Sequence, residues 1–363
     1  MSNCAFRSET SEKDLESAIW DAIAFSGTRA EQEAKFFDAI EATIRAAKLS
    51  VGPNFLVRLL PPLKSLTIGK VKIIPFGAAN TGPLKGIFEV RQGARAGIHS
   101  EEGVSFIELP NFVWEVSINS STEYVREEAQ WAINIAISLI RLGLISYGNP
   151  TGLFPNLGKL EAHPIEPRTI HQSGYILSGT NVSVGGTALP GWYEVGQAAA
   201  EHFTSINLST IADIVFDPQS NSVAERLYNG LGWMTLARQA PSRAERFIHY
   251  FTAVEALLTS SDPTAPITQT ISRFLSCILT DNNDQRAILS DTIKKLYTKR
   301  SQLVHGGRRS NIHMTDATTL QYYVELAYLR VVKEIPPATT ATDFLEGLNL
   351  ASYGLNWTKK TEK

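Results

Sequence analysis

Cysteine is scarce in this chain: Cys4 and Cys277 are the only two among 363 residues. They exclude a disulfide framework, and nothing beside them offers metal-ligand spacing, so a reducing compartment, the cytoplasm, is expected. A positive charge excess is lacking too. The formal net charge of −2 excludes a globally basic nucleic-acid binder and leaves room only for a local basic patch. Long apolar runs are missing as well. The longest, WAINIAISLI at 131–140, is closed by Arg141. It reaches about half a membrane span, so it reads as a buried core helix and no membrane partner is expected. The first twenty residues have no basic stretch leading into an apolar one, so no signal peptide is expected. Several catalytic signatures are also absent. There is no Gly-x-Ser-x-Gly elbow, no His-Glu-x-x-His pair and no Gly-rich loop ending in Lys-Ser or Lys-Thr. Neither a metal nor a cofactor is expected.

What is present divides the chain in two. Residues 11–48 read as two helices, the second with Phe36, Ile40, Ile44 and Leu49 near helical spacing. SLTIGKVKIIPF, GIFEVRQG, GVSFIELP and FVWEVSIN follow as strands rich in β-branched and aromatic residues. A helix is expected over 121–146, capped by Ser121 or Thr122. Then come strand-like pieces, GYILSG and NVSVGG, and a short helix over 193–204. This gives an α+β N-terminal domain over 1–216. DPQSN at 217–221 is a composition break and reads as a linker. Beyond it, 221–335 reads as five helices with short connections, an all-α antiparallel helical bundle, with Thr315 or Asp316 capping the fifth. Pro336 and Pro337 end that helix, and 336–363 is expected to be a peripheral tail.

The chemistry concentrates in RSQLVHGG, residues 300–307. Arg300 and His305 lie five positions apart, about 140° around an ideal α-helix, so they share a face only if the last turn loosens toward Gly306 and Gly307. Ser301 and His305 are four apart, where the hydroxyl can orient the imidazole. From Lys294 to Arg309 the chain carries Lys294, Lys295, Lys299, Arg300, Arg308 and Arg309 with no acid. Spacing by itself weighs little, since Arg308 and His313 repeat it in a loop. Upstream, Glu255 interrupts the apolar stripe Phe247, Phe251, Val254 and Leu258, which suggests a buried pairing partner.

In its order of elements, KKLYTKRSQLVHGG near the end of the bundle and RFIHYFTAVEALL about fifty residues upstream, the stretch 221–335 resembles the HEPN domains, in particular the ApeA-like branch. The resemblance implies a helical bundle that dimerises and a metal-independent endoribonuclease, in anti-phage defence or toxin-type growth arrest. It implies Arg300 and His305 as catalytic residues, supported by Ser301, Glu255 and Tyr297. Lys294, Lys295, Lys299, Arg308 and Arg309 would contact RNA. The N-terminal domain would sense a trigger or restrain the nuclease. The competing class is a non-catalytic HEPN module that binds a partner protein or a nucleotide.

Elementary chemistry agrees with that implication. Cleavage without a metal uses the RNA 2′-hydroxyl as nucleophile, a histidine to move its proton, and an arginine fork to hold the phosphate as charge develops. A homodimer would place two copies of each group around one phosphodiester.

Overall fold

The spacing of apolar residues is close to two along several N-terminal segments and close to 3.6 beyond residue 220, and the architecture follows that division. The computed structural model describes residues 12–45, 47–78, 96–100, 103–107, 111–121, 123–151, 153–166, 175–178, 181–184, 190–259 and 266–358. It has an N-terminal α+β region and a mostly helical C-terminal part, with eleven helices among the described residues. GIFEVRQG, expected as a strand, lies outside the described residues.

Helices α1 (Glu12–Ala24) and α2 (Arg29–Arg45) pair as a hairpin. Thr28 and Glu31 start α2 with a reciprocal cap: the Thr28 amide donates to the Glu31 carboxylate at 2.7 Å, and the Glu31 amide donates to the Thr28 hydroxyl at 3.4 Å. Strands β1 (Ala47–Pro53), β2 (Val57–Leu59), β3 (Leu66–Ile68) and β4 (Val71–Pro75) follow. Next come the hairpin β5 (Ala96–Ser100) and β6 (Gly103–Ile107), then β7 (Phe112–Asn119). The main sheet is antiparallel in the order β1-β7-β4-β3, with Ile73 opposite both Leu66 and Trp114. Trp114, Val116 and Ile118 alternate inward along β7 and are buried.

Helix α3 (Val125–Tyr147) packs on this sheet and on the bundle at once. Among the described residues it is the one helix long and apolar enough to cross a membrane, yet 78% of its apolar window is buried within the protein. Its cap differs from expectation. Tyr124 holds that position without a side-chain bond, and the Ser121 hydroxyl is buried without a partner. As expected, the helix continues past Arg141, ending at Tyr147 with Gly148 as its cap.

After the hairpin β8 (Tyr175–Ser178) and β9 (Asn181–Val184), β10 (Tyr193–Val195) pairs in parallel with β2. The stretch expected as one helix over 193–204 therefore begins as a strand, and α4 covers Gln197–Ser205. A further helix, α5 (Leu208–Phe216), was not expected; it places Leu208, Ala212 and Val215 inward.

The bundle comprises α6 (Val223–Gln239), α7 (Arg243–Leu258), α8 (Ile267–Leu279), α9 (Asn283–Gly306) and α10 (Met314–Glu334). Ser222 caps α6 by accepting from the Glu225 amide, and Asn282 caps α9 by accepting from the Gln285 amide. The cap of α10 is His313, not Thr315 or Asp316; Asp316 sits at the third helical position and accepts from the His313 amide. Two glycines in α6 have a packing reason. A methyl group at Gly230 would overlap the Tyr328 hydroxyl, and one at Gly232 would press into the Trp131 ring, so each admits a neighbouring helix closely.

The segment after Pro337 is not peripheral. Thr340 caps α11 (Ala341–Ala351), whose Phe344 and Leu348 are buried with Trp357 in the common core. That core runs without a break from the sheet through α3 into the bundle and α11, past the 217–221 connection.

Candidate functional site

Helix α9 is regular through Gly306 and stops because Gly307 adopts a left-handed conformation, φ 64°, returning its amide to the Leu303 carbonyl at 3.0 Å. The last turn is not loosened, so Arg300 and His305 point to different sides of the helix. Arg300 turns toward α7. Its Nη2 donates to Glu255 Oε2 at 3.0 Å, both side chains are 22% exposed, and its guanidinium lies 5.6 Å from the Tyr297 ring centre. Tyr297 donates its hydroxyl to Glu255 Oε1 at 2.7 Å. Burial, and then that bond to a carboxylate, push the tyrosine pKa up to about 12. Glu255 thus breaks the apolar stripe of α7 because it accepts from two groups of α9. The Arg300 Nε is buried and has no acceptor.

His305 is exposed at the end of the same helix, and its imidazole makes no hydrogen bond among the described residues. No hydrogen bond joins the imidazole to the Ser301 hydroxyl, so the orienting role expected for that hydroxyl is not present in this structure. The basic run is also less free than its acid-free sequence suggests, because folding brings acids to it. Lys299 donates to Asp316 at 2.7 Å, which fastens α9 to the start of α10. Lys294 lies 3.7 Å from Asp291, and Arg309 donates to the Ser242 hydroxyl at 3.3 Å. Lys295 and Arg308 are exposed and have no acid partner among the described residues. Next to His305 in the chain, Arg308 and Arg309 therefore have no acid partner among the described residues, while Lys295 lies about 15 Å further back along the helix.

The most extensive polar arrangement among the described residues is one that sequence reasoning missed. Arg141 of α3 is fully buried and grips Glu325 of α10 with two bonds, Nε to Oε1 and Nη2 to Oε2, both 2.9 Å. Its third nitrogen donates to the Pro155 carbonyl at 2.6 Å. Burial disfavours the Arg141 cation, but Glu325 together with the Tyr193 and Tyr250 hydroxyls more than offsets it, so its pKa stands above the usual arginine range. Arg238 of α6 is equally buried. It donates to Glu161 at 2.6 Å, to Thr235 at 2.7 Å and to Ser138 at 3.0 Å. Tyr193 of β10 donates to the same Glu161 carboxylate. The Tyr250 hydroxyl and Arg238 Nη1 are buried beside these groups without partners. Two cations and two anions balance, which is how buried charge is tolerated. The signal for Glu325 was available: an acid inside YYVELAYL is as misplaced as Glu255 is in its own stripe.

Among the described residues no group of three or more His, Cys, Asp or Glu side chains is placed to hold a metal ion. No protein-family model, curated protein or solved structure matches the chain.

Proposed function

We propose that the chain is a metal-independent endoribonuclease that acts as a homodimer through its helical part, with His305 as the proton-transfer group and Arg300 as the phosphate fork. The observation that carries this reading is the end of α9. An exposed imidazole without a hydrogen-bond partner among the described residues stands there beside Arg308 and Arg309 in the chain, five residues from an arginine whose Nε has no acceptor. A histidine side chain can accept the 2′-hydroxyl proton or protonate the leaving oxygen. Within one chain Arg300 and His305 look in different directions, so the composite site needs a second copy. In this conformation Arg300 is neutralised by Glu255 and must be released before it serves a phosphate. The N-terminal region is the proposed source of that control, and defence or growth arrest the proposed setting.

A specific observation favours a second reading. Arg300 and Tyr297 both already bond to Glu255, as a structural joint between α7 and α9 would. In that case the helical part is a non-catalytic interaction module. Incubating purified protein with labelled RNA in the presence of EDTA separates the two. Under the nuclease reading, wild type cuts and leaves 2′,3′-cyclic phosphate ends. Arg300→Ala and His305→Ala each cut slower by about a hundredfold or more. Cutting that is unchanged in His305→Ala, or RNA left intact by wild type and variants alike, refutes the enzyme reading.

A further inference from the structure

Helices α8 and α9 lie side by side, and between them opens a groove of about 390 Å³ lined by Pro266, Gln269, Thr270, Arg273, Ser290 and Lys294. Positions 266, 269, 270 and 273 recur at helical spacing along one face of α8, and 290 with 294 along one face of α9. Two cations therefore line one concavity from opposite walls. Arg273 is exposed and pairs with no acid among the described residues; its guanidinium only rests 5.0 Å from the Phe274 ring centre. Lys294 has Asp291 as its sole acid among the described residues, at 3.7 Å, and that carboxylate is 72% exposed, so its pull is weak. The Ser290 and Thr270 hydroxyls make no hydrogen bond among the described residues. The first turn of α8 contains no acid, and its cap residue Pro266 has no side-chain acceptor, so among the described residues the positive end of the helix dipole opens beside the same groove.

We infer that this groove binds a phosphate group, held between Arg273 and Lys294 with Ser290 and Thr270 as hydroxyl donors. A planar guanidinium, a mobile ammonium and neutral hydroxyls are the donor set that phosphate oxygens take. Among the described residues the groove lining contains no carboxylate, which would turn a phosphate away. The phosphate comes either from an RNA strand, extending the footprint of the proposed nuclease along α9, or from a free nucleotide. The inference depends on the ribonuclease reading only for the first source.

The test uses the full chain and measures fluorescence anisotropy of a short labelled single-stranded RNA and of a labelled nucleoside diphosphate, with inorganic phosphate as competitor. Arg273→Gln and Lys294→Gln each weaken binding of the bound probe by about tenfold or more. With RNA, each also flattens the dependence of log K on log salt by about 0.7. Lys333→Gln removes an equal charge from the exposed surface of α10 and leaves binding within about twofold. Circular dichroism melts confirm that the variants are folded. Loss with RNA but not with the diphosphate identifies a strand, and the converse identifies a nucleotide. No binding of either probe by wild type, or equal binding by wild type and both groove variants, overturns the inference. Because neither variant touches Arg300 or His305, an absence of RNA cleavage leaves this measurement intact, and a failure here leaves the cleavage test standing.

Discussion

Replacing Glu325 by glutamine tests how the two parts of the chain are joined. Glutamine keeps the shape of the side chain and one acceptor oxygen but removes the charge that balances Arg141. The guanidinium stays where it is, 1% exposed, tied to the Pro155 carbonyl and beneath the Phe154 ring. One of its two bonds to residue 325 must then meet an amide NH₂ or break, and Gln321 loses a charged acceptor. Removing one member of a buried ion pair costs about 3–5 kcal/mol. At about 2.1 cal/mol/K of unfolding entropy per residue, 363 residues carry about 0.76 kcal/mol/K, so the expected drop in Tm is about 4–7 °C. Calorimetry of Glu325→Gln at neutral pH measures it directly. The double variant Arg141→Met with Glu325→Leu removes both charges and fills the space, and it recovers most of the loss. A Glu325→Gln protein melting within about 1 °C of wild type would refute the claim that this pair bears on stability.

Two further outcomes are expected. Trp357 is 3% exposed and packs on Phe344, so Trp357→Ala lowers stability by about 3 kcal/mol or more, read as a shift in the urea midpoint; a midpoint like that of wild type would mean the segment after Pro337 is dispensable. Burial holds the His249 imidazole, packed against Trp233, below the ordinary histidine pKa, more than the Leu236 backbone and Glu245 raise it. The unfolded chain then takes up the proton first, so stability is present above about pH 6.5 and declines as pH falls toward the folded-state value. His249→Phe flattens that decline, leaving the part due to His163, which burial shifts the same way; an identical Tm-against-pH slope in the variant would contradict the assignment.

Where a segment's own residues determine its structure, the sequence was legible. ITQTISRFLSCIL was read as a helix over the residues that form it, because Pro266 starts it and apolar residues line one side. Helix α11 was missed although Ala341, Phe344, Leu348 and Ala351 recur at helical spacing, since the two prolines before it were read as an end and not as a turn. What the sequence does not show for Arg141 is its role: a lone charge at the end of an apolar run gives no sign of the group it meets. That partner is 184 residues away, and no local spacing contains it. Around Arg300 the pairing with Glu255 was visible as an acid in the wrong stripe. The neutralisation of Lys299 by Asp316 was not, because it depends on how α10 begins beside α9.

The buried charges have a consequence for any attempt to split this chain near residue 217. Each half would keep one cation and one anion of the network, Arg141 with Glu161 on one side and Arg238 with Glu325 on the other, but both ion pairs cross the cut. Neither half could satisfy its own charges, and both would expose them on a bared apolar face. Produced together, the halves would be mutual templates, each presenting the counter-ions the other lacks, so that fragment complementation, not independent folding, is the behaviour this arrangement favours.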